Sequence, residues 1–153
     1  RSTNRNMDGK ALSKQQLSDL LWAANGINRP DGKRTAPTAM NKQEISLYAV
    51  LPDGAYRYEP ATHRLVEVAA EKSRLDNNAS VVIVLVADRD KQPGEKWAAV
   101  DCGFVGQNIY LYCAANNLAT VFKGSFNADN LKKLLKLEKN QVPMFIQPVG
   151  FPK

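Results

Sequence analysis

The sequence predicts an α+β sandwich, in which a mainly antiparallel sheet is flanked by helices and accompanied by one long central helix. Residues 81–87 (Val-Val-Ile-Val-Leu-Val-Ala) are an unbroken β-branched apolar run, typical of a strand buried on both faces. Residues 96–117 are the longest helical stretch and are apolar most of the way round, which indicates burial on several sides, as in a core or a dimer interface. The order of elements is helix, hairpin, buried strand, long helix, strand, helix and strand, which favours this fold class.

Each remaining element has its own local signal. Ser13 and Gln16 form a capping box that begins a helix, and Asn25-Gly26 ends it. Pro37 is expected to open a short helix through Gln43, because proline suits a first helical turn. The other predicted elements are strands at 45–51, 55–58 and 64–68, a helix at 69–75, a strand at 118–122, a helix capped by Asn127, and a last strand at 144–149.

Length and charge limit the function classes. The 153 residues fit one domain, 1–153, and the net charge of +6 suits an anionic partner such as nucleic acid, a phosphate-bearing cofactor or an acidic surface. The densest basic group is interpreted as a solvated helix face; it comprises Lys132, Lys133, Lys136 and Lys139. The chain lacks the alternation of aromatic and basic residues that is typical of proteins that stack nucleic-acid bases. No apolar run reaches the roughly 18–20 residues of a membrane span. We therefore expect neither nucleic acid nor membrane as a partner.

The spacing of the cysteines and the histidine predicts neither a metal site nor a disulfide. Cys102 and Cys113 fall in one predicted helix, about 16 Å apart along its axis, which is too far for a bridge. The single histidine, His63, has no partner at metal-ligand spacing. The lack of a disulfide framework favours a reducing, cytoplasmic compartment. An exported form stays open, because the chain begins at Arg1 and not at Met.

Three segments are candidates for binding chemistry. Residues 1–5 (Arg-Ser-Thr-Asn-Arg) place two guanidinium groups beside two hydroxyls, which suits a phosphate, although a frayed basic terminus gives the same pattern. Residues 34–43 bring hydroxyl and amide side chains around one turn, which suits a ring edge or a polyol chain, or else an ordinary turn after Pro37. Residues 123–125 (Lys-Gly-Ser) allow close backbone approach to a planar ligand, or simply connect a strand to a helix.

Taken together and in order, these segments resemble the nitroreductase superfamily. The opening resembles that family's Arg-x-Ser-x-Arg/Lys-x-Phe-Asp motif, and Pro37-Thr38-Ala39-Met40-Asn41-Lys42-Gln43 resembles its Pro-Ser-Ser-x-Asn-x-Gln segment. Residues 101–118 resemble its long central helix, residues 118–124 the segment under the flavin, and Val149-Gly150-Phe151-Pro152 its terminal Val-Gly-Tyr-Pro. Residues 20–27 and Tyr56-Arg57-Tyr58 look most like the SagB-type dehydrogenase branch. The resemblance covers nearly the whole chain.

The resemblance implies a nitroreductase-like fold and a homodimer with FMN at its interface. Arg1, Thr3 and Arg5 match positions that hold the FMN phosphate and ribityl chain, and Ser2 is adjacent. Lys123 and Gly124 match backbone donors at the flavin N5 edge. The residues that match the segment lining the flavin from the partner subunit are Pro37, Thr38, Ala39 and Asn41, with Gln43 at a neighbouring polar position.

This chain also departs from the family pattern. Thr38 replaces the usual Ser but keeps the hydroxyl, and Gln43-Glu44-Ile45 replaces Gln-Pro-Trp. Lys123 stands where many members carry Glu, and a cation there is expected to stabilise the reduced, anionic flavin. Many members continue beyond Lys153 to a basic residue that touches phosphate, a role that Lys153 itself is a candidate to fill. No lid insertion is evident.

The implied activity is that of an FMN-dependent oxidoreductase, which moves hydride from NADH or NADPH to a small nitroaromatic or quinone-like acceptor. The cofactor carries the chemistry, so no side chain is named as catalytic. The alternative is an FMN-binding protein of the same fold without nicotinamide-linked turnover, acting in flavin storage or sensing. The short chain and missing lid keep that alternative open.

Overall fold

The computed structural model describes residues 1–73, 75–76 and 78–153. Its helices are α1 (Lys14–Asn25), α2 (Glu95–Ala115) and α3 (Ala128–Leu134), with a single 3₁₀ turn at Ala39–Asn41. Its strands are β1 (Ile45–Leu51), β2 (Gly54–Glu59), β3 (Arg64–Ala69), β4 (Val81–Asp88), β5 (Ala119–Thr120) and β6 (Gln141–Gly150). The strands form one six-stranded sheet in the order β3-β2-β1-β4-β6-β5, and every neighbouring pair is antiparallel. The predicted α+β class with an antiparallel sheet is confirmed.

The central strand β4 separates two hydrophobic layers. Its odd-numbered residues, including Ile83 and Leu85, pack in the layer that holds α1 and α2. Its even-numbered residues, including Val84, pack in the layer that holds Leu131 and Leu135. Strand side chains alternate between faces, so a strand between two layers must be apolar throughout. The prediction of a doubly buried strand is confirmed.

Local signals set several helix ends as predicted. The Ser13 hydroxyl accepts from the Gln16 amide at 3.1 Å, and the Gln16 side chain accepts from the Ser13 amide at 2.9 Å, which completes the capping box of α1. The Asn127 side chain accepts from the Asn130 amide at 3.0 Å and begins α3. Cys102 and Cys113 both lie in α2 as buried free thiols, and burial raises the pKa of each.

Other predicted elements were wrong. The helix predicted at 69–75 does not form over residues 70–73, which have no regular structure. These residues offer too few apolar side chains at helical spacing to bury. The rest of that prediction includes Arg74, which lies outside the described residues. The predicted strand at 118–122 is only the two residues of β5. Helix α3 ends at Leu134, so only Lys132 and Lys133 of the basic group lie on it, and Lys136 and Lys139 follow it. All four lysines are exposed, as expected for a solvated surface.

The 3₁₀ turn replaces the predicted helix at residues 37–43. Thr38 stays extended at φ −134° and ψ 152°, so Pro37 does not begin a helix. Met40, Asn41 and Gln43 all have φ near 50°, in the left-handed region that costs a non-glycine residue of order 1–3 kcal/mol. Backbone strain of this kind accumulates at binding sites more often than elsewhere. Among the described residues, no helix has the length and apolar character needed to cross a membrane.

Candidate functional site

The N-terminal residues are held against α2 by Tyr110. The Tyr110 hydroxyl accepts a hydrogen bond from the Phe122 amide at 2.9 Å and shares another with the Thr3 hydroxyl at 3.0 Å. The Arg1 guanidinium lies over the Tyr110 ring, 5.2 Å from its centroid, a cation–π arrangement. The Asn4 amide donates to the Thr120 carbonyl at 3.0 Å. The terminus is therefore ordered on the sheet edge, and the frayed-terminus interpretation is wrong.

This terminus presents unpaired positive charge. Arg1, Ser2, Thr3 and Arg5 are exposed. Within the described part of the chain, neither arginine has a carboxylate within 4.0 Å. The Lys153 amide donates to the Asn6 carbonyl at 3.1 Å, so a third basic residue lies beside the same segment. Guanidinium groups free of acids and flanked by hydroxyls suit the bidentate binding of a phosphate.

Lys123 and Gly124 lie next to Phe122, and so beside the same tyrosine. The Lys123 amide donates to the Ile146 carbonyl at 2.8 Å, and the Ile146 amide donates back at 3.0 Å. The Lys123 amide is thus committed to the sheet and is not a free donor, contrary to expectation. No acceptor for the Gly124 amide is present among the described residues. A methyl group added at Gly124 would meet only the Phe145 ring, at 3.7 Å, so this backbone is open to a neighbour.

The segment 34–43 is built around Asp101 of α2. The Ala39 amide donates to both carboxylate oxygens of Asp101, each at 3.1 Å. The Gln43 amide donates to the Thr38 hydroxyl at 2.9 Å, and the Gln43 side chain donates to the Gly32 carbonyl at 3.1 Å and the Asn41 side chain at 3.2 Å. Gln43 therefore holds the loop in shape, while Pro37, Thr38 and Asn41 line its outer surface.

That outer surface is a basic pocket of about 270 Å³. It is lined by Arg29, Lys33, Arg34, Thr35, Ala36, Pro37, Thr38 and Asn41, with no carboxylate among them. Burial of the Arg34 guanidinium lowers its pKa, and its Nε has no hydrogen-bond partner among the described residues. A buried N–H group without a hydrogen-bond partner is costly unless an anion or a polar ligand joins it.

A pair of buried carboxyl groups lies beneath the loop. Glu44 is 1% exposed and Asp101 is fully buried. Neither Glu44 carboxylate oxygen has a hydrogen-bond donor among the described residues. Burial, together with the adjacent Asp101 carboxyl, raises the pKa of Glu44 to about 7. Two carboxyl groups in one buried place cannot both ionise cheaply, so Glu44 keeps its proton to a higher pH than an exposed glutamate does.

The two halves of the predicted site attach to different parts of α2. Asp101 holds the segment 34–43, and Tyr110 holds the N-terminal residues and Phe122. Nine residues of α-helix separate them by about 13 Å along the axis and by about half a turn in direction. Within one chain the two attachments therefore leave α2 on opposite sides.

An exposed apolar stripe runs along α2, on the helix face that separates these two attachments. It consists of Trp97, Val100, Phe104 and Leu111, which are 47%, 40%, 42% and 52% exposed. At about 100° per residue, these four side chains fall within roughly 60° of one another, on the face between Asp101 and Tyr110. The opposite face carries the buried residues Val105 and Ile109. An exposed apolar stripe of this kind marks an interaction surface.

Three of these site residues were missed from the sequence. Tyr110 gave no signal, since one tyrosine in an apolar helix is ordinary. Asp101 gave a weak one, as an acidic residue on the buried side of an otherwise apolar helix needs a partner. Glu44 was noted only as a departure from the family pattern.

Comparison with known proteins supports the same family. The nitroreductase family model matches residues 1–151. A protein of Methanocaldococcus jannaschii assigned as a nitroreductase is 26% identical over 91% of this chain and 81% of its own length. A crystal structure from Ralstonia eutropha JMP134, also assigned as a nitroreductase, is 34% identical with a TM-score of 0.93, and the match covers all of this chain and 80% of that one. A crystal structure from Clostridium acetobutylicum, assigned as an NADH oxidase, is 25% identical with a TM-score of 0.70, and the match covers all of this chain and 85% of that one. A family match over nearly the whole length, on the fold described above, shows that this chain belongs to the nitroreductase family.

Proposed function

We propose that this protein is a homodimeric, FMN-dependent oxidoreductase that transfers hydride from NADH or NADPH to a small acceptor of the nitroaromatic or quinone type. Membership of the nitroreductase family supports flavin oxidoreductase chemistry in general. FMN as cofactor, NADH or NADPH as electron donor and a site shared between two subunits are part of the proposal, supported by the family resemblance and by the residues described above.

One observation carries the proposal: the two halves of the site lie on either side of the apolar stripe of α2. A two-fold axis at this stripe would place the Asp101 end of one subunit beside the Tyr110 end of the other. The segment 34–43 would then face residues 1–5 and 123–124 of its partner, as the family resemblance implies. A two-fold interface repeats each contact, so two equivalent sites result.

The residues fit FMN. Arg1 and Arg5 supply the charge for the phosphate, with Ser2 and Thr3 as hydroxyl partners. The Gly124 amide supplies a backbone donor at an open position beside an aromatic pair, Phe122 and Phe145, whose ring centroids are 4.6 Å apart. Thr38 and Asn41 supply polar groups from the second subunit. FMN, when bound, supplies the hydride chemistry, and the chain supplies position and charge.

The alternative is an FMN-binding protein without nicotinamide-linked turnover. Both candidates give a yellow protein with flavin absorbance bands, so the spectrum of the purified protein is the first measurement. A colourless protein that does not take up added FMN would eliminate both. Oxidation of NADH or NADPH in the presence of a nitroaromatic or a quinone then separates them, since only the oxidoreductase turns over.

The shared site has a stringent test by subunit mixing. Arg5→Ala and Asn41→Ala each remove a group from one half, and each homodimer should lose FMN. In a heterodimer of the two variants, one site carries both defects and the other carries neither. Unfolding and refolding an equal mixture should therefore restore FMN to about a quarter of all sites. If mixing restores nothing while wild-type protein refolds with FMN, the site is not shared. Lys132→Gln, on the exposed face of α3, serves as the matched surface control.

A further inference from the structure

A second pocket lies between α1 and the β2–β3 hairpin, and it shares no residue with the proposed FMN site. We call it the hairpin pocket. Its volume is about 360 Å³, at the lower end of the range for small-molecule sites of about 300–1,000 Å³. Leucine side chains and two tyrosine rings form its body, and polar groups form its rim. The lining residues are Lys14, Leu17, Ser18, Leu21, Leu51, Asp53, Tyr56, Tyr58, His63, Arg64 and Leu65.

A hydrogen-bonded chain of three side chains runs into this pocket. The hydroxyl of buried Tyr58 lies 2.8 Å from Nδ1 of His63, and Nε2 of His63 lies 2.7 Å from the Ser18 hydroxyl. Burial raises the pKa of Tyr58 to about 12, so its phenol keeps the proton. A phenol hydroxyl donates or accepts, so the two distances fit either tautomer of the His63 ring, with the proton on Nδ1 or on Nε2. A ligand acceptor at Ser18 selects the tautomer with the proton on Nε2, because only that tautomer leaves the Ser18 hydroxyl proton free.

The direction of the chain determines what Ser18 offers. In that tautomer, Nε2–H of His63 donates to the Ser18 oxygen, so the Ser18 hydroxyl proton is left to donate to a ligand. In that tautomer His63 does not act as a base for Ser18, since Nε2 already holds a proton. Ser18 is thus a hydrogen-bond donor at the pocket, not a nucleophile.

The charges at the rim favour an anion. Lys14 and Arg64 are both exposed, and neither has a carboxylate within 4.0 Å in the part of the chain that the structure describes. The single carboxylate of the lining, Asp53, interacts with the Tyr56 hydroxyl. Two free cations and a hydroxyl donor above an apolar body match one class of ligand, a carboxylic acid with an apolar substituent.

We propose that the hairpin pocket is a second ligand site, separate from the FMN site, and that it takes a small carboxylic acid with an aromatic or branched aliphatic body. The carboxylate accepts from the Ser18 hydroxyl and lies near Lys14 and Arg64. The apolar body packs against the leucines, of which Leu21 is only 2% exposed. This inference goes beyond the proposed oxidoreductase activity and does not depend on it.

His63 is the sole histidine of the chain, so the signal of its ring Hε1 proton can be assigned in a proton NMR spectrum without isotope labelling. The probe is 4-phenylbutyrate, titrated into the protein as purified with the flavin it retains. The matched control probe is 4-phenylbutan-1-ol, which keeps the body and removes the charge. The acid should shift the His63 signal in a saturable way, and the alcohol should bind about tenfold more weakly, because hydrogen bonds to charged groups are the stronger ones.

Variants separate the site from general hydrophobic binding. Ser18→Ala should weaken the acid about tenfold and leave the alcohol unchanged. Arg64→Gln gives a second variant in case the first does not fold, and it should weaken the acid alone. Lys132→Gln should change neither. A His63 signal that stays fixed to about 10 mM acid, a concentration that only very weak binding would require, overturns the proposal. Equal affinity for acid and alcohol, or displacement of the acid by FMN, overturns it as well.

Discussion

The substitution Glu44→Gln should change how stability depends on pH. Glu44 is 1% exposed and lies against the Asp101 carboxyl, and the opposing charge of Lys91 offsets only a small part of the rise in its pKa. Its pKa is about 7 in the folded chain and has an ordinary value of 4.5. Between these values the folded state holds a proton that the unfolded state has lost. The fold is therefore most stable below about pH 4.5, where Glu44 is protonated in both states. Stability falls as the pH rises from about 4.5 to about 7, and it falls no further through this group above that.

The magnitude follows from the gap between the two pKa values. A tenfold change in proton affinity is about 1.4 kcal/mol, so the gap from 4.5 to about 7 corresponds to about 3 kcal/mol. Glutamine cannot ionise, so Glu44→Gln removes this dependence. Its free energy of unfolding relative to the wild type should rise by about 3 kcal/mol from pH 4.5 to pH 7.5, which is of the order of a buried, unpaired charge.

Urea unfolding followed by circular dichroism at a series of pH values measures this difference directly. Taking the difference between wild type and variant removes the contribution of the titrating groups that do not interact with Glu44. Glu67→Gln, on the exposed edge strand β3, is the matched control and should show no such trend. A difference that stays flat between pH 4.5 and 7.5 would refute the raised pKa of Glu44 and the burial argument behind it.

Three further predictions concern α2. Tyr110→Phe loses both hydrogen bonds of its hydroxyl, which should lower the free energy of unfolding by about 1–3 kcal/mol and weaken FMN retention. The matched control Tyr112→Phe also loses a hydrogen bond, so it should lower stability but keep the flavin. Gly106→Ala puts a methyl 2.5 Å from a neighbouring phenylalanine ring and should cost about 1–3 kcal/mol in urea unfolding, whereas Gly103→Ala meets no atom within 4 Å and should be neutral or stabilising. Leu111→Arg, at a side chain 52% exposed, should give a folded monomer in size-exclusion chromatography; a dimer would contradict the proposed interface.

Much of the fold could be predicted from the sequence, because its strongest patterns are also its largest energetic contributions. The run at 81–87 is buried on both faces, and a strand with that environment must be apolar at every position. The capping residues Ser13 and Asn127 act over three residues, so their geometry follows from the local sequence alone.

Three of the failures have a common physical cause. At residues 37–43 the local preference for a proline-initiated helix was overridden by a contact that is distant in sequence, the Ala39 amide with the Asp101 carboxylate. The commitment of the Lys123 amide to Ile146 is likewise a pairing across the sheet. The same holds for Tyr110, whose role depends on Thr3 and Phe122, far from it along the chain. Such contacts need the fold itself before they can be seen.

The attachment of both half-sites to one helix has a thermodynamic consequence. If each flavin contacts residues from both subunits, then FMN binding and subunit association are linked, and each must strengthen the other by the same factor. Added FMN should shift the monomer–dimer equilibrium toward the dimer, by mass action. Conversely, simple dilution below the dimer dissociation constant should release the cofactor. Flavin release on dilution, measured as an increase in flavin fluorescence, would therefore report on subunit association without any mutation.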